Sequence, residues 1–175
     1  MKLVEIIKSN QTNQDMVTFI HEFLENTLGK GVVVAKDTPN FIANRIGTFG
    51  MMVTLHEANK RNLSIEDVDA LTGTIIGRPK SATFRTADIV GLDTMCYVAN
   101  TAYTKCVDDY ERDVFILPDY IQKMVENKWL GQKSGQGFYK KIDKGVIYSL
   151  DLKTLEYKPM NKKRHPAYAL AKEKT

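Results

Sequence analysis

A chain of 175 residues is long enough for one domain with a core, and 43% hydrophobic with 26% charged residues predicts a soluble globular protein rather than a disordered one. No apolar run approaches the roughly 20 residues that span a bilayer, Glu5 interrupts what a leader would keep apolar, and Cys96 and Cys106 are spaced for neither a zinc knuckle nor a disulfide scaffold, so a reducing cytoplasm is the expected compartment. The net charge of +4 gathers in Lys158–Arg164 and the tail beyond it, which reads as a solvated linker and argues against nucleic acid as a partner.

Residues Lys2–Ile7 alternate, with Leu3, Glu5 and Ile7 on one face, which predicts a short strand in need of a sheet. Thr12 or Asn13 can cap a helix that carries Met16, Val17, Ile20, Phe23, Leu24 and Leu28 at helical spacing and stops at Gly29. Val32-Val33-Val34 is a brief β-branched run before the next helix. Thr38-Pro39 predicts that helix's start, hydroxyl as cap and proline as first helical residue, and Phe41, Ile42, Ile46, Phe49, Val53 and Ala58 continue its apolar face. Ser64 opens a further helix, with Asp67 three residues on and Gly77-Arg78-Pro79 as its end. Phe84–Asp109 reads as two helices broken at Gly91, and Pro118 opens a last one that runs through Trp129 to Gly131.

Beyond Gly131 the period changes. Phe138–Lys141, Val146–Leu150 and Leu155–Lys158 read as three short strands, with a turn at Asp143-Lys144-Gly145 and another near Lys153. Pro159–Thr175 reads as a linker or a following helix. Pattern alone therefore predicts a helical domain with a small β appendage and no internal repeat.

Four segments, in this order, resemble the 3-hydroxyacyl-CoA dehydrogenase family. Met1-Lys2-Leu3-Val4-Glu5-Ile6-Ile7 is similar to a strand that, in the family, closely follows a His-Phe-Phe-Asn-Pro segment holding the catalytic histidine. Lys36-Asp37-Thr38-Pro39-Asn40-Phe41-Ile42-Ala43-Asn44-Arg45 is similar to the signature Asp-Thr-Pro-Gly-Phe-x-x-Asn-Arg. Asp88-Ile89-Val90-Gly91-Leu92-Asp93 is a further match, and Gly131-Gln132-Lys133-Ser134-Gly135-Gln136-Gly137-Phe138-Tyr139 is similar to the closing Lys-[Thr/Ser]-Gly-x-Gly-Phe-Tyr motif. The chain departs from the pattern at Asn40, where the family has glycine, and at Pro79–Phe84, which replaces a Pro-x-Gly-Pro-Phe turn; both bear on loop shape and acyl-chain preference.

The resemblance implies a mainly α fold: a multi-helix domain like the C-terminal domain of 6-phosphogluconate dehydrogenase, with a short N-terminal strand and a small C-terminal β appendage. It divides the chain into residues 1–10, an orphan last strand of an NAD-binding domain, 11–141, the helical domain, and 142–175, the appendage and linker. That strand would leave an exposed edge prone to association.

The implied reaction, a step of fatty-acid β-oxidation, converts a 3-hydroxyacyl-CoA to the 3-ketoacyl-CoA with NAD as oxidant. A histidine base suits the proton because its pKa lies near neutrality, and a carboxylate beside it orients the ring and stabilises its charge. Glu5 matches that carboxylate, Asn44 the asparagine that contacts substrate, and Lys133 a lysine near the cofactor. From the residues alone, Glu5 is an edge or solvent-facing acid, Asn44 a solvent-facing helix amide and Lys133 a surface lysine; the resemblance reverses these readings. His21, His56 and His165 read as structural or solvated, are not spaced as a metal pair, and do not supply the base. Gly135-x-Gly137 precedes strand-like residues, so it is no dinucleotide fingerprint.

NAD is thus expected to be held mainly outside this chain, which would be inactive alone. The expected partners are an acyl-CoA substrate and a second copy in a homodimer or larger species, with Met51 and Met52 suited to the contact. Lys162-Lys163-Arg164 lacks the aromatic interleaving of a nucleic-acid site. The competing reading is a non-catalytic helical module that assembles larger oxidation complexes.

Overall fold

A computed structural model describes residues 2–142, 145–160 and 166–172. The chain opens with two parallel strands, β1 (Leu3–Ile7) and β2 (Gly31–Ala35), registered with Glu5 opposite Val33. Parallel neighbours require a crossover, supplied by α1 (Gln14–Glu22) and a wide helical turn at Phe23–Thr27. Asn13 starts α1 by accepting the N–H groups of Asp15 and Met16, and Gly29, at φ 59°, lets the chain turn back. The expected solitary strand therefore has a partner, and that partner is the Val32-Val33-Val34 run. A strand in a parallel pair needs no alternation, so three consecutive valines carry no period that would identify it.

α2 (Ala43–Arg61) begins at Ala43 rather than at Pro39, because Asn40 and Phe41 take φ of 63° and 50° and leave the right-handed region. It ends at Asn62, itself left-handed at φ 54°. Ser64 caps α3 (Ile65–Thr72) by accepting the Asp67 N–H. α4 (Phe84–Val90) and α5 (Leu92–Lys105) meet at Gly91, and α6 (Asp119–Glu126) stops short of Trp129 where Lys128 takes φ 60°. An antiparallel sheet of β3 (Tyr139–Lys141), β4 (Ile147–Leu150) and β5 (Tyr157–Pro159) follows, then α7 (Pro166–Lys172). The expected Asp143-Lys144 turn residues, Lys162-Lys163-Arg164 and His165 lie outside the described residues.

The core gathers from α2 to α6, with Leu55, Phe84, Leu92 and Ile121 fully buried. Phe138 and Leu150 bring the appendage onto the same core, the Phe138 ring edge-on to Phe84 with 4.6 Å between centroids. Met52, expected at a contact between copies, is also fully buried there, because it shares a helical face with Leu55; Met51 is half-buried. The β1–α1–β2 unit is different. Val17 and Ala35 are its buried hydrophobics among the described residues, while Met16 and Phe19 are 52% and 62% exposed. Among the described residues no helix is long and apolar enough to cross a membrane.

Candidate functional site

The first turn of a helix presents N–H groups that no residue of the helix can satisfy. At α2 the displaced start leaves Ile42 in the cap position with no side-chain acceptor of its own. Glu5, in the middle of β1, supplies one. Its Oε2 accepts the Ile42 N–H at 3.2 Å and its Oε1 accepts the Ala43 N–H at 2.6 Å. Both bonds are charge-assisted, and the positive end of the helix dipole favours a carboxylate at this point.

Asn44, the next residue, is exposed. Asn44, Thr48, Met51 and Leu55 recur at helical spacing along one face of α2. Leu55 is fully buried and Thr48 and Met51 are half-buried, so the face that forms the core emerges into the open at Asn44. Glu5 and Asn44 thus come together at one helix end, 39 residues apart in sequence (44 − 5). Asn40 fastens the preceding turn through Nδ2, which donates to the Val98 carbonyl at 2.8 Å. Asn40 stands where the resemblance has glycine; its φ is positive, which asparagine tolerates better than most residues, and its side chain ties the loop to α5.

Lys133 stands elsewhere, on a single turn at Gln132–Ser134, and its ammonium is held by both oxygens of Asp93 in the first turn of α5. That bond holds the Asp93 carboxyl below its ordinary range.

The third and fourth matching segments lock together here. Asp88, 4% exposed on α4, accepts the Phe138 N–H at 2.8 Å and the Tyr139 N–H at 2.9 Å. A Cβ on Gly137 would lie 2.1 Å from Asp88 Oδ1, and one on Gly131 would lie 2.3 Å from the Asp88 carbonyl. Close approach therefore explains both glycines, and the motif's work is to seat the appendage. Burial outweighs the two N–H donors and pushes the Asp88 carboxyl up to about 6. Asp69 performs a related task, accepting the N–H groups of Thr83, Phe84 and Arg85 at the start of α4 and the Tyr139 hydroxyl. The sequence reading missed both acids as anchors. Asp88 did carry a signal, since it lies four residues beyond Phe84 on the same apolar face.

His56 bonds the Val114 carbonyl through Nε2 at 3.0 Å, and His21 faces Glu25 at 3.5 Å. The described residues do not fit NAD. The β1–α1 connection, Lys8–Asn13, has no glycine to admit a diphosphate; Gly137 is filled by Asp88, and Lys133 is neutralised by Asp93.

A family model described as 3-hydroxyacyl-CoA dehydrogenase, C-terminal domain, matches residues 41–141. The chain is 53% identical over 173 residues to a probable 3-hydroxyacyl-CoA dehydrogenase of Bacillus subtilis, across 99% of this chain and 22% of that protein. The crystal structure of M. tuberculosis FadB2 matches with a TM-score of 0.68 at 28% identity, over 81% of this chain and 48% of that one. The (S)-3-hydroxybutyryl-CoA dehydrogenase PaaH1 from Ralstonia eutropha matches with a TM-score of 0.66 at 29% identity, over 78% and 46%. The chain spans less than half the length of each of these relatives. It belongs to the 3-hydroxyacyl-CoA dehydrogenase family, with that family's C-terminal domain over residues 41–141.

Proposed function

We propose that this chain is the substrate-cleft half of an NAD-dependent 3-hydroxyacyl-CoA dehydrogenase of fatty-acid β-oxidation, working in the cytoplasm and inactive without a nucleotide-binding half. The observation that carries the reading is the Glu5 carboxylate at the open end of α2, beside the exposed Asn44. A carboxylate offers about four lone-pair sites, so Glu5 can hold α2 with two and still accept from a histidine outside the chain. There it orients the imidazole and stabilises its positive charge. Asn44 donates its amide N–H to the 3-oxygen of the substrate. Lys133 reaches a cofactor only by leaving Asp93, so we assign it to anchoring α5.

The whole β1–α1–β2 unit, rather than residues 1–10 alone, belongs with the sheet of the nucleotide-binding half. The uncovered apolar face of α1 and of the turn that follows it, with Met16, Phe19 and Phe23 exposed, supports that assignment. A second copy of the chain covers the other exposed face of α2, at Ile42 and Ile46, giving a dimer.

The competing reading, a non-catalytic assembly module, draws on one fact: both Glu5 oxygens already serve α2. One experiment separates the two. NADH oxidation with acetoacetyl-CoA is followed for this chain alone and then with an NAD-binding half added in trans. The enzyme reading expects silence alone and turnover on mixing, abolished by Glu5→Ala. Turnover by the chain alone, or none in a complex shown to form, would refute it.

A further inference from the structure

We propose that Gly47 lacks a side chain in order to admit the acyl chain of the substrate beside Asn44, and so sets which chain lengths the site accepts; this rests on the function proposed above. Glycine inside a helix is unfavourable, because it gives up the most conformational freedom on folding. A helical glycine therefore calls for a reason. α2 holds two, Gly47 and Gly50. Gly50 has a neighbour, since a Cβ there would stand 3.4 Å from the Arg78 guanidinium. At Gly47 a Cβ would meet nothing within 4 Å, and its φ is not among the positive ones. Neither packing within the chain nor backbone geometry demands glycine at this position.

Its neighbours on the helix supply the reason. Gly47 follows Asn44 by three residues, which puts their Cβ positions about 5–6 Å apart on one side of the helix. Continuing by four-residue steps, the row passes Met51, half-buried, and reaches Leu55, fully buried. A path that starts at the Asn44 amide therefore crosses bare backbone and arrives at the half-buried Met51, with Thr48 beside it and Leu55 sealed in the core beyond. Beside Gly47 that stretch offers the Met51 side chain and the Thr48 hydroxyl, so it suits a hydrocarbon better than the amides of a pantetheine arm. With the 3-oxygen on Asn44, the carbons beyond C3 lie over Gly47.

The test is calorimetric titration of the chain with acetoacetyl-CoA and with 3-ketodecanoyl-CoA, for the wild type, Gly47→Leu and Asn44→Ala, each also melted by circular dichroism. The wild type is expected to bind the longer ligand more tightly. Gly47→Leu should hold acetoacetyl-CoA within about twofold and weaken 3-ketodecanoyl-CoA by about tenfold or more, at roughly fourfold per displaced methylene. Leucine is the better helix former, so its melting temperature should equal or exceed that of the wild type. A Gly47→Leu chain that weakens both ligands alike, or neither, or that melts lower, overturns the assignment of Gly47 while the site stands. Unchanged affinities in Asn44→Ala, or a wild type that binds neither ligand, overturn the site and Gly47 with it.

Discussion

Replacing Glu5 by alanine removes the acceptor that starts α2, and the loss can be worked from the two bonds it makes, at 3.2 and 2.6 Å. Truncating a helix cap costs about 1 kcal/mol, within a range of roughly 0.5–2. Loss of a negative charge at a helix N-terminus adds about 0.3–1 kcal/mol at an exposed site. Glu5 is only half-buried, so water takes back part of both terms, and about 1.5 kcal/mol is the expected net loss. For a domain of this size that lowers the melting temperature by about 3–6 °C. Glu5→Gln keeps one acceptor oxygen and should lose about half as much. Urea unfolding followed by far-ultraviolet circular dichroism measures both on this chain, without substrate or cofactor. The decisive number is the ordering: an alanine variant as stable as the wild type, or a glutamine variant less stable than alanine, would show that Glu5 does not cap α2.

Two further outcomes concern the Asp88 anchor. Its carboxyl is raised from an ordinary 3.8 to about 6, so between those values the folded chain binds a proton that the unfolded chain has lost. Stability should fall as pH rises through that window, by up to about 3 kcal/mol from Asp88, and Asp69, also raised by burial, adds in the same sense; Asp88→Asn should reduce the slope in denaturant midpoints measured across it, and a slope that persists unchanged refutes the assignment. Asp151, lowered to about 2 chiefly by Lys158, acts in the opposite sense below 3.8 and does not overlap the window. Gly137→Ala drives a Cβ to 2.1 Å from Asp88 Oδ1 and 2.6 Å from the Gly131 Cα. It should destabilise by about 3 kcal/mol in thermal unfolding, and a wild-type melting temperature would contradict the close approach.

What the sequence made legible was local. Asn13 and Ser64 cap the helices that follow them, and Gly91 breaks α4 from α5, because each effect is decided within a few residues. Thr38-Pro39 has every local mark of a helix start, yet the helix waits for Ala43, since Asn40 and Phe41 turn left-handed and the cap comes from a strand far upstream. No local pattern records such an acceptor. The same holds for Asp69, whose partners lie 14–16 and 70 residues away, and for Asp88, whose partners lie 50–51 away. Read from the residues alone, Glu5 and Asn44 were two unrelated solvent-facing side chains. Only the resemblance made them a pair, and the fold sets them at one helix end.

The bonds from Glu5 to α2 also act as a dowel between two bodies. β1 belongs to the strand pair and α2 to the helical body, and one carboxylate is pinned in both. Any rotation of one body against the other must stretch those bonds or carry the carboxylate along with the first turn of α2. The spacing between Glu5 and Asn44 is therefore set at the joint itself, and swings elsewhere in the molecule leave it in register.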